Sequence, residues 1–170
     1  MSDAASLWRA RSDPDVMRFW DVPAQTSIAE VEATIAAHDP DRDAGHTLWW
    51  AVTLAHSGEV IGECDLSEID HKHGRAEVGF MFARAHWKLG YAIEAMNAVK
   101  AEAFGALGLE RLWARCHDGN EASIRLLERL GLSLEGRLRA HVKHDGRRRD
   151  CLIYGLVLDA TPQDTRRPQG

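Results

Sequence analysis

The sequence predicts a mixed α/β fold in one domain, and three observations support this prediction. Runs of apolar and β-branched residues alternate with segments whose apolar residues recur every three or four positions, which are strand and helix patterns. One strand-type run, residues 76–82, is followed by a small-residue turn at Gly90 and Ala92, where a long helical pattern begins. The 170 residues are enough for a sizeable core. We expect one domain over residues 1–160 and a flexible tail over 161–170.

The N-terminal part of the chain is predicted to be helical. Residues 4–20 form two helical pieces that break at Ser12-Asp13-Pro14, because proline favours a first helical turn and Ser or Asp can cap it. The capping box Ser27-Ile28-Ala29-Glu30 then predicts a helix over about 28–38. Residues 39–45 are expected to be a loop.

Strands and helices alternate after residue 46. The predicted elements are hairpin strands at 47–55 and 60–66, a strand at 76–82, a helix from about 91 to 107, a strand at 111–116, a helix at 121–130, and a second hairpin of 132–143 and 147–158 that turns at Asp145-Gly146. Gly79 in the middle of the strand at 76–82 indicates a bulge or a close approach by another extended molecule.

Composition and charge exclude several classes of function. Hydrophobic residues make up 45% of the chain and charged residues 28%, as in ordinary globular proteins. The net charge of −5 argues against nucleic-acid binding by general electrostatics and favours a cationic or amine-bearing acceptor. No apolar stretch approaches the roughly 18 residues of a membrane span, and no signal peptide is evident. We therefore expect a cytoplasmic protein that binds neither nucleic acid nor membrane.

Cysteine and histidine spacing predict no metal site. Cys64, Cys116 and Cys151 each lie in an apolar run, so reduced core thiols are expected rather than a disulfide or a nucleophile. The 9 histidines include two pairs at metal-ligand spacing, His71 with His73 and His141 with His144. A third ligand pattern is lacking, so we expect no bound metal.

The turn between residues 88 and 92 has the features of a phosphate site. Gly90 and Ala92 keep side chains away from the first turn of a helix. Backbone N–H groups are free there, and the helix macrodipole is positive. Such a helix start binds phosphate. The strand, turn and helix together predict a cradle for a phosphorylated cofactor.

Two motifs resemble those of a known family. The segment Trp87-Lys88-Leu89-Gly90-Tyr91-Ala92 resembles the acetyl-CoA-binding motif Gln/Arg-x-x-Gly-x-Gly/Ala of the GNAT superfamily of N-acetyltransferases, at its fourth and sixth positions. Tryptophan at the first position is similar to the RimJ/RimL branch, which has Gly-Lys where this chain has Lys88-Leu89. The segment from Asn120-x-x-Ser123 to Leu130-Gly131-Leu132 resembles the second half of the family signature.

The resemblance covers about residues 1–158 and implies a GNAT fold. Such a fold has a central, largely antiparallel sheet flanked by helices and split between the strands at 76–82 and 111–116, where the thioester enters. Family members usually begin with a strand, and we expect it to be missing here because only Met1-Ser2 precede Asp3. We expect a sheet edge or apolar flank short of cover, for which a homodimer is one remedy.

The resemblance also implies acetyl-CoA as cosubstrate and assigns its contacts. The pantetheine arm lies along backbone groups of the cofactor strand, and the pyrophosphate lies at the helix start. The implied cofactor-binding residues are Phe80, Met81, Phe82, Trp87, Lys88, Leu89, Gly90, Tyr91, Ala92, Asn120 and Ser123. Asn120 also suits a helix N-cap, and the two roles are compatible.

Three residues are candidates for acid–base catalysis. Glu77 matches a glutamate that acts as general base in many family members, usually through water; the alternative is a strand-face carboxylate paired with an arginine. Ser123 is a candidate to protonate the departing thiolate, or a first-turn serine that stabilises its helix. Tyr154 is a second candidate for this protonation, or a core tyrosine with its hydroxyl paired.

The predicted function is acetyl-CoA-dependent N-acetylation of a primary amine by direct transfer. This transfer passes through a tetrahedral oxyanion, so a backbone N–H beside the thioester carbonyl is required. The acceptor is a protein N-terminus or a small amine, and the sequence does not choose between them. The alternative is a non-catalytic acetyl-CoA-binding or protein-interaction module with the same fold.

Overall fold

The computed structural model describes residues 3–144 and 146–158, which form a sheet with helices on both faces. The helices are α1 (Asp3–Arg11), α2 (Pro14–Met17), α3 (Ile28–Ala37), α4 (Asp39–Asp43), α5 (Tyr91–Phe104) and α6 (Glu121–Leu130). The strands are β1 (Leu48–Thr53), β2 (Val60–Asp70), β3 (Arg75–Phe82), β4 (Arg111–His117), β5 (Ser133–His144) and β6 (Arg147–Val157). The predicted tail at 161–170, the domain boundary at residue 160 and Asp145 of the predicted turn lie outside the described residues.

Local sequence signals explain where most helices begin and end. The Asp13 side chain caps α2 by accepting a hydrogen bond from the Asp15 N–H, and Ser27 caps α3 in the same way through Glu30. The predicted loop at 39–45 is wrong, because residues 39–43 form α4. Pro40 suits the first turn of this helix, and Arg42 pairs with Asp39 at 2.7 Å.

The sheet is split in its middle. In the described part of the chain it has six strands in the order β1-β2-β3-β4-β6-β5, and neighbours run antiparallel except β3 and β4. The parallel pairing joins only Arg75–Glu77 to Arg111–Trp113, although both strands continue beyond these residues. The predicted split and the largely antiparallel sheet are therefore both present.

Strand alternation divides the sheet into an apolar face and a polar face. Ala76, Val78 and Phe82 of β3 join the main core with Met96 and Val99 of α5. The alternate residues of β2, β3 and β4 point to the opposite face, which α1 and α2 partly cover. This second face carries a cluster of charged side chains, Glu63, Asp65, Glu77 and Arg115.

The cysteines are buried and reduced, as predicted. Burial raises the pKa of the Cys64 thiol to about 12 and that of Cys116 to about 12. Neither thiol ionises near neutral pH, which fits a packing role. Among the described helices, none has the length and apolar character needed to cross a membrane.

One edge of the sheet exposes apolar side chains. β5 is an edge strand, and its Leu134 and Leu138 are exposed. No strand precedes α1 in the part of the chain that the structure describes. The homodimer that would cover an apolar edge stays a prediction.

A buried ion pair joins α1 to the sheet. Arg11, the last residue of α1, donates a hydrogen bond from Nη2 to Oε1 of Glu63 on β2 at 2.5 Å, and both side chains are only 4% exposed. Burial raises the pKa of the Glu63 carboxyl, and Arg11 opposes this shift. The pair therefore fixes the position of α1 over the polar face at a cost in desolvation.

Glu63→Leu should destabilise the protein by about 3–5 kcal/mol, because it leaves the Arg11 guanidinium buried without a counter-charge. The midpoint of urea unfolding at pH 7 measures this loss. The double variant Arg11→Met/Glu63→Leu removes both charges and should recover most of the lost stability. A single variant as stable as the wild type would show that Arg11 finds water instead.

Candidate active site

A cleft of about 250 Å³ occupies the split between β3 and β4. Its walls include Glu77 and Gly79 of β3, Arg115 of β4, and Asn120 and Ser123 at the start of α6. Because α6 follows β4 and α5 follows β3, both helices begin near the same end of these parallel strands. The sheet topology thus places two helix N-termini beside one opening in the sheet.

Glu77 is held by an arginine. Its two carboxylate oxygens accept hydrogen bonds from Nε and Nη2 of Arg115, at 2.9 and 3.0 Å, and Glu77 is buried. Such a bidentate pair restrains the carboxylate and satisfies both oxygens. The geometry matches the strand-face ion pair that the sequence allowed as the alternative, and the role of Glu77 as general base stays a prediction.

Asn120 and Ser123 lie together at the α6 end of the cleft. The Asn120 side-chain oxygen accepts a hydrogen bond from the Ser123 N–H at 3.3 Å, which makes Asn120 the N-cap of the helix. Both side chains line the cleft. The structure therefore brings Asn120 and Ser123 together with Glu77 around one opening, as the predicted site requires.

Tyr154 lies away from these residues. It belongs to the main core and is only 3% exposed. Its β4 neighbour in the sheet is Ala114, on the face packed by α5 and α6. Burial raises the pKa of the phenol, and the nearby carboxylates of Glu128 and Glu121 raise it further. The structure places Tyr154 as a core tyrosine, outside the residues that line the cleft.

The turn before α5 has the geometry of an anion site. Gly90 is the N-cap residue with a φ of +91°, no side chain caps the helix, and the space where a Gly90 side chain would lie is open. The first N–H groups of α5, at Tyr91 and Ala92, therefore have no intrahelical acceptor. Lys88 in the same turn has a φ of +62°. These features fit the phosphates of acetyl-CoA, with the helix dipole adding to the attraction.

Trp87 fixes this turn to the end of β3. Its indole Nε1 donates a hydrogen bond to the carbonyl oxygen of Phe82 at 2.7 Å. The neighbouring Leu89 side chain is 62% exposed. The tryptophan at the first motif position thus has a structural role, since it anchors the loop through its side chain.

The second half of β3 offers a free backbone edge to an extended ligand. Phe80, Met81 and Phe82 pair with β2 on one side but not with β4 on the other. The Met81 and Phe82 side chains are buried, and Phe80 lines the cleft. An extended chain can add to such an edge as a further strand does. This fits the predicted contacts of the pantetheine arm.

Gly79 makes room for a side chain that sequence reasoning did not identify. The pairing of β2 with β3 is regular at Gly79, which rules out the predicted bulge there. A Cβ atom at Gly79 would overlap the carboxylate of Asp65, its partner on β2. The close approach is therefore made by Asp65. The available signal was a pair of acids, Glu63 and Asp65, at alternate positions of the otherwise apolar run 60–66.

The pKa of the Asp65 carboxyl is raised toward neutral pH. Burial raises its pKa to about 7, and the negative charge of Glu63 adds to this shift, while a hydrogen bond with Ser67 opposes it. Asp65 lines the cleft between β3 and β4 and also a second, larger cavity of about 920 Å³. Trp20 and Ser67 also line both the cleft and the larger cavity, so the two spaces adjoin.

The Gly90 turn, the free strand edge and the cleft fit one class of protein, an acyltransferase that takes its acyl group from a CoA thioester. The family model described as Acetyltransferase (GNAT) domain matches residues 1–133. The chain belongs to the GNAT acetyltransferase family.

Relatives and solved structures agree with this assignment. An uncharacterized N-acetyltransferase, p20 of Bacillus licheniformis, is 31% identical over 157 residues, which cover 92% of this chain and 88% of that protein. The structure of spermidine N-acetyltransferase from Vibrio cholerae with CoA and spermine has a TM-score of 0.80 at 22% identity and covers 92% of this chain and 90% of its own. RimL, a ribosomal-protein α-N-acetyltransferase solved with coenzyme A, has a TM-score of 0.83 at 18% identity, with coverages of 94% and 89%.

These findings confirm three predictions, the GNAT fold, N-acetyltransferase activity and acetyl-CoA as cosubstrate. The similarity to RimL is one of fold. The individual site residues and the identity of the acceptor stay predictions.

Gly90→Glu should abolish acetyl-CoA binding, because it places bulk and negative charge where the pyrophosphate must lie. Isothermal titration calorimetry measures the effect. Gly108→Glu is a matched control, since Gly108 also has a positive φ, +62°, and open space around it, but lies beyond the far end of α5. A folded Gly90→Glu protein with unchanged affinity would place the phosphate site elsewhere.

Proposed function

We propose that this protein transfers the acetyl group of acetyl-CoA directly to a primary amine of a small, multiply charged cation of the polyamine class. Family membership supports acetyl transfer to an amine. The observation that favours this acceptor is the cavity of about 920 Å³ that adjoins the cleft. An aliphatic chain with several ammonium groups matches its walls better than a neutral or acidic substrate does.

The cavity walls favour positive charge. Four carboxylates line it, from Asp41, Asp65, Glu68 and Asp70. A backbone hydrogen bond from His73 lowers the pKa of Asp70, so this group stays ionised. Arg75 also lines the cavity, but it lies 3.6 Å from Asp70 and is partly neutralised by it. The surplus of acidic groups attracts ammonium groups and holds them near the cleft.

An aromatic surface lies next to these acids. His38 stacks on Trp49 with ring centroids 3.9 Å apart, and both line the cavity. Burial lowers the pKa of His38, with a smaller contribution from Arg11, so the ring is neutral near pH 7. A neutral stack packs against the methylene groups of a polyamine, and the tryptophan face also attracts its ammonium groups.

The chain's own residues then hold the donor and assist the departing group. Bound acetyl-CoA supplies an activated acetyl group as a thioester. The Gly90 turn binds its phosphates, and the edge of β3 at Phe80–Phe82 binds its arm. Ser123 lies in the cleft wall and Tyr154 does not, which supports Ser123 as the group that protonates the thiolate.

A panel of amines tests the proposal. Purified protein, acetyl-CoA and a thiol-release assay should give turnover with spermidine and spermine. N-terminal peptides, single amino acids and an aminoglycoside should be poorer acceptors. Selective turnover of a peptide N-terminus would overturn the polyamine proposal and favour the protein N-terminus as acceptor.

Asp41→Asn/Glu68→Gln should raise KM for spermidine about two- to thirtyfold and leave kcat within twofold, because exposed charge pairs each contribute ~0.2–1 kcal/mol to binding. Steady-state kinetics at two salt concentrations measure the change, which should shrink in high salt. Asp43→Asn is the matched control on the same helix, since Asp43 pairs with Arg42 and lies outside the cavity wall. An unchanged KM would remove this cavity from the acceptor path.

A further inference from the structure

Three carboxylates lie on the polar face of two neighbouring strands. Glu63 and Asp65 are two residues apart on β2, and Glu77 lies on β3. Glu63 is paired with Arg11, and Glu77 is paired with Arg115. Among the described residues, no lysine, arginine or histidine forms an ion pair with Asp65. Asp65, whose hydrogen bond is to the Ser67 side chain, is therefore the carboxylate of this group that no cationic side chain neutralises.

Asp65 also lies where an acceptor must pass. It is shared by the wall of the carboxylate-lined cavity and the wall of the cleft between β3 and β4. Gly79 opposite it has no side chain, and the Asp65 carboxylate packs over this glycine toward β3. An ammonium group that moves from the larger cavity into the cleft meets Asp65 at the boundary.

We propose that Asp65 is the general base of this enzyme and takes the proton from the acceptor ammonium. The assignment deepens the proposed function and rests on it. Glu77, with both oxygens held by Arg115, then acts as a positioning residue that keeps β3 and β4 in register beside the split.

The ammonium nitrogen gives one proton to Asp65 and becomes a neutral amine. Its electron pair forms the C–N bond to the acetyl carbon, and the C–S bond breaks with its electrons remaining on sulfur. A second nitrogen proton ends on sulfur as the free thiol, and Asp65 returns its proton to solvent. The products are the N-acetylated amine, CoA thiol and one proton.

The chemistry of Asp65 suits this role. A carboxyl whose pKa lies near 7 is largely ionised just above neutrality and still binds a proton readily, whereas an ordinary aspartate is a weak base. The shift arises from burial first and from Glu63 second. Glu77 from β3 also raises the Asp65 pKa, and Arg11 from α1 lowers it. Further titratable residues share a cavity wall with Asp65, among them Arg115 and His117 from β4, Asp21 after α2 and His38 after α3.

Asp65→Asn keeps the shape and removes the basicity. It should lower kcat/KM for the amine by ~10²–10⁴-fold while the Kd for acetyl-CoA stays unchanged. The acidic limb of the wild-type pH–rate profile, with its midpoint near pH 7, should vanish. Asp43→Asn makes the same change at an exposed position and should retain the wild-type profile. Glu77→Gln should lose less activity and keep the limb.

A second measurement separates a base from a structural aspartate. The pKa of Asp65 is raised in the folded state, so its contribution to stability is full below the unfolded pKa and is lost as pH rises through about 7. The Tm of Asp65→Asn should therefore equal or exceed the wild-type Tm at pH 8, and the difference should grow between pH 5 and 8. An aspartate that only stabilises the fold would show a lower Tm on substitution.

The outcomes separate the two proposals. Loss of kcat/KM and of the acidic limb, with a Tm at pH 8 that is not reduced, supports Asp65 as base. Wild-type kinetics in Asp65→Asn, or loss of the limb in Glu77→Gln instead, overturns this assignment and leaves the acceptor proposal standing. A wild-type protein that acetylates no amine of the panel overturns the proposed function and the role of Asp65 with it.

Discussion

The early end of pairing between β3 and β4 is the constraint on which the site depends. Hydrogen bonding stops after Glu77 and Trp113, while β3 continues to Phe82 and β4 to His117. One strand edge therefore stays free for an extended ligand, and a cleft opens through the sheet. Because the two strands are parallel, each is followed by a helix that begins at the same side of the cleft. The Gly90 turn and the Asn120 cap both follow from this arrangement.

Because side chains alternate between the two faces of each strand, one face of the sheet stabilises the fold and the other carries the charged groups of the site. One face of the sheet provides the apolar core with α5 and α6, and the other face carries charged groups that α1 and α2 partly cover. Desolvation makes these charges costly, and arginines compensate two of them, at Glu63 and Glu77. Asp65 has no such partner, and burial, followed by the charge of Glu63, raises its pKa to about 7. Buried charged groups without an oppositely charged partner are common at functional sites, because such groups are more reactive than paired ones.

Local signals in the sequence were sufficient for most of the fold. The cap Asn120 and the left-handed Gly131 mark both ends of α6, and Gly90 marks the start of α5, since each is set by the backbone needs of its own turn. The split could likewise be predicted, through the resemblance to family motifs, and the phosphate site at the Gly90 turn stays a prediction. The helix at 39–43 was missed because it is a single short turn in a polar segment that also suits a loop.

The contacts of the site were harder to predict from the sequence, because they join residues far apart in the chain. The pairing of Glu77 with Arg115 depends on the register of two parallel strands, and the fit of Asp65 over Gly79 depends on the register of β2 with β3. A mid-strand glycine shows that something approaches closely but not what approaches it. Tyr154 illustrates the same limit, since its register opposite Ala114 decides which face it occupies.

An acidic cavity creates a chemical problem that the position of Asp65 can solve. Carboxylates such as Asp41 and Glu68 attract an ammonium group, but they also stabilise its protonated form and so oppose its use as a nucleophile. Binding and reactivity therefore require different electrostatic surroundings. The two regions meet at Asp65, where burial weakens the negative charge and leaves a group that can take up a proton. Beyond it, the cleft has the Glu77–Arg115 pair, whose charges offset each other. An amine that loses its proton at this boundary enters a region that no longer favours the ammonium form.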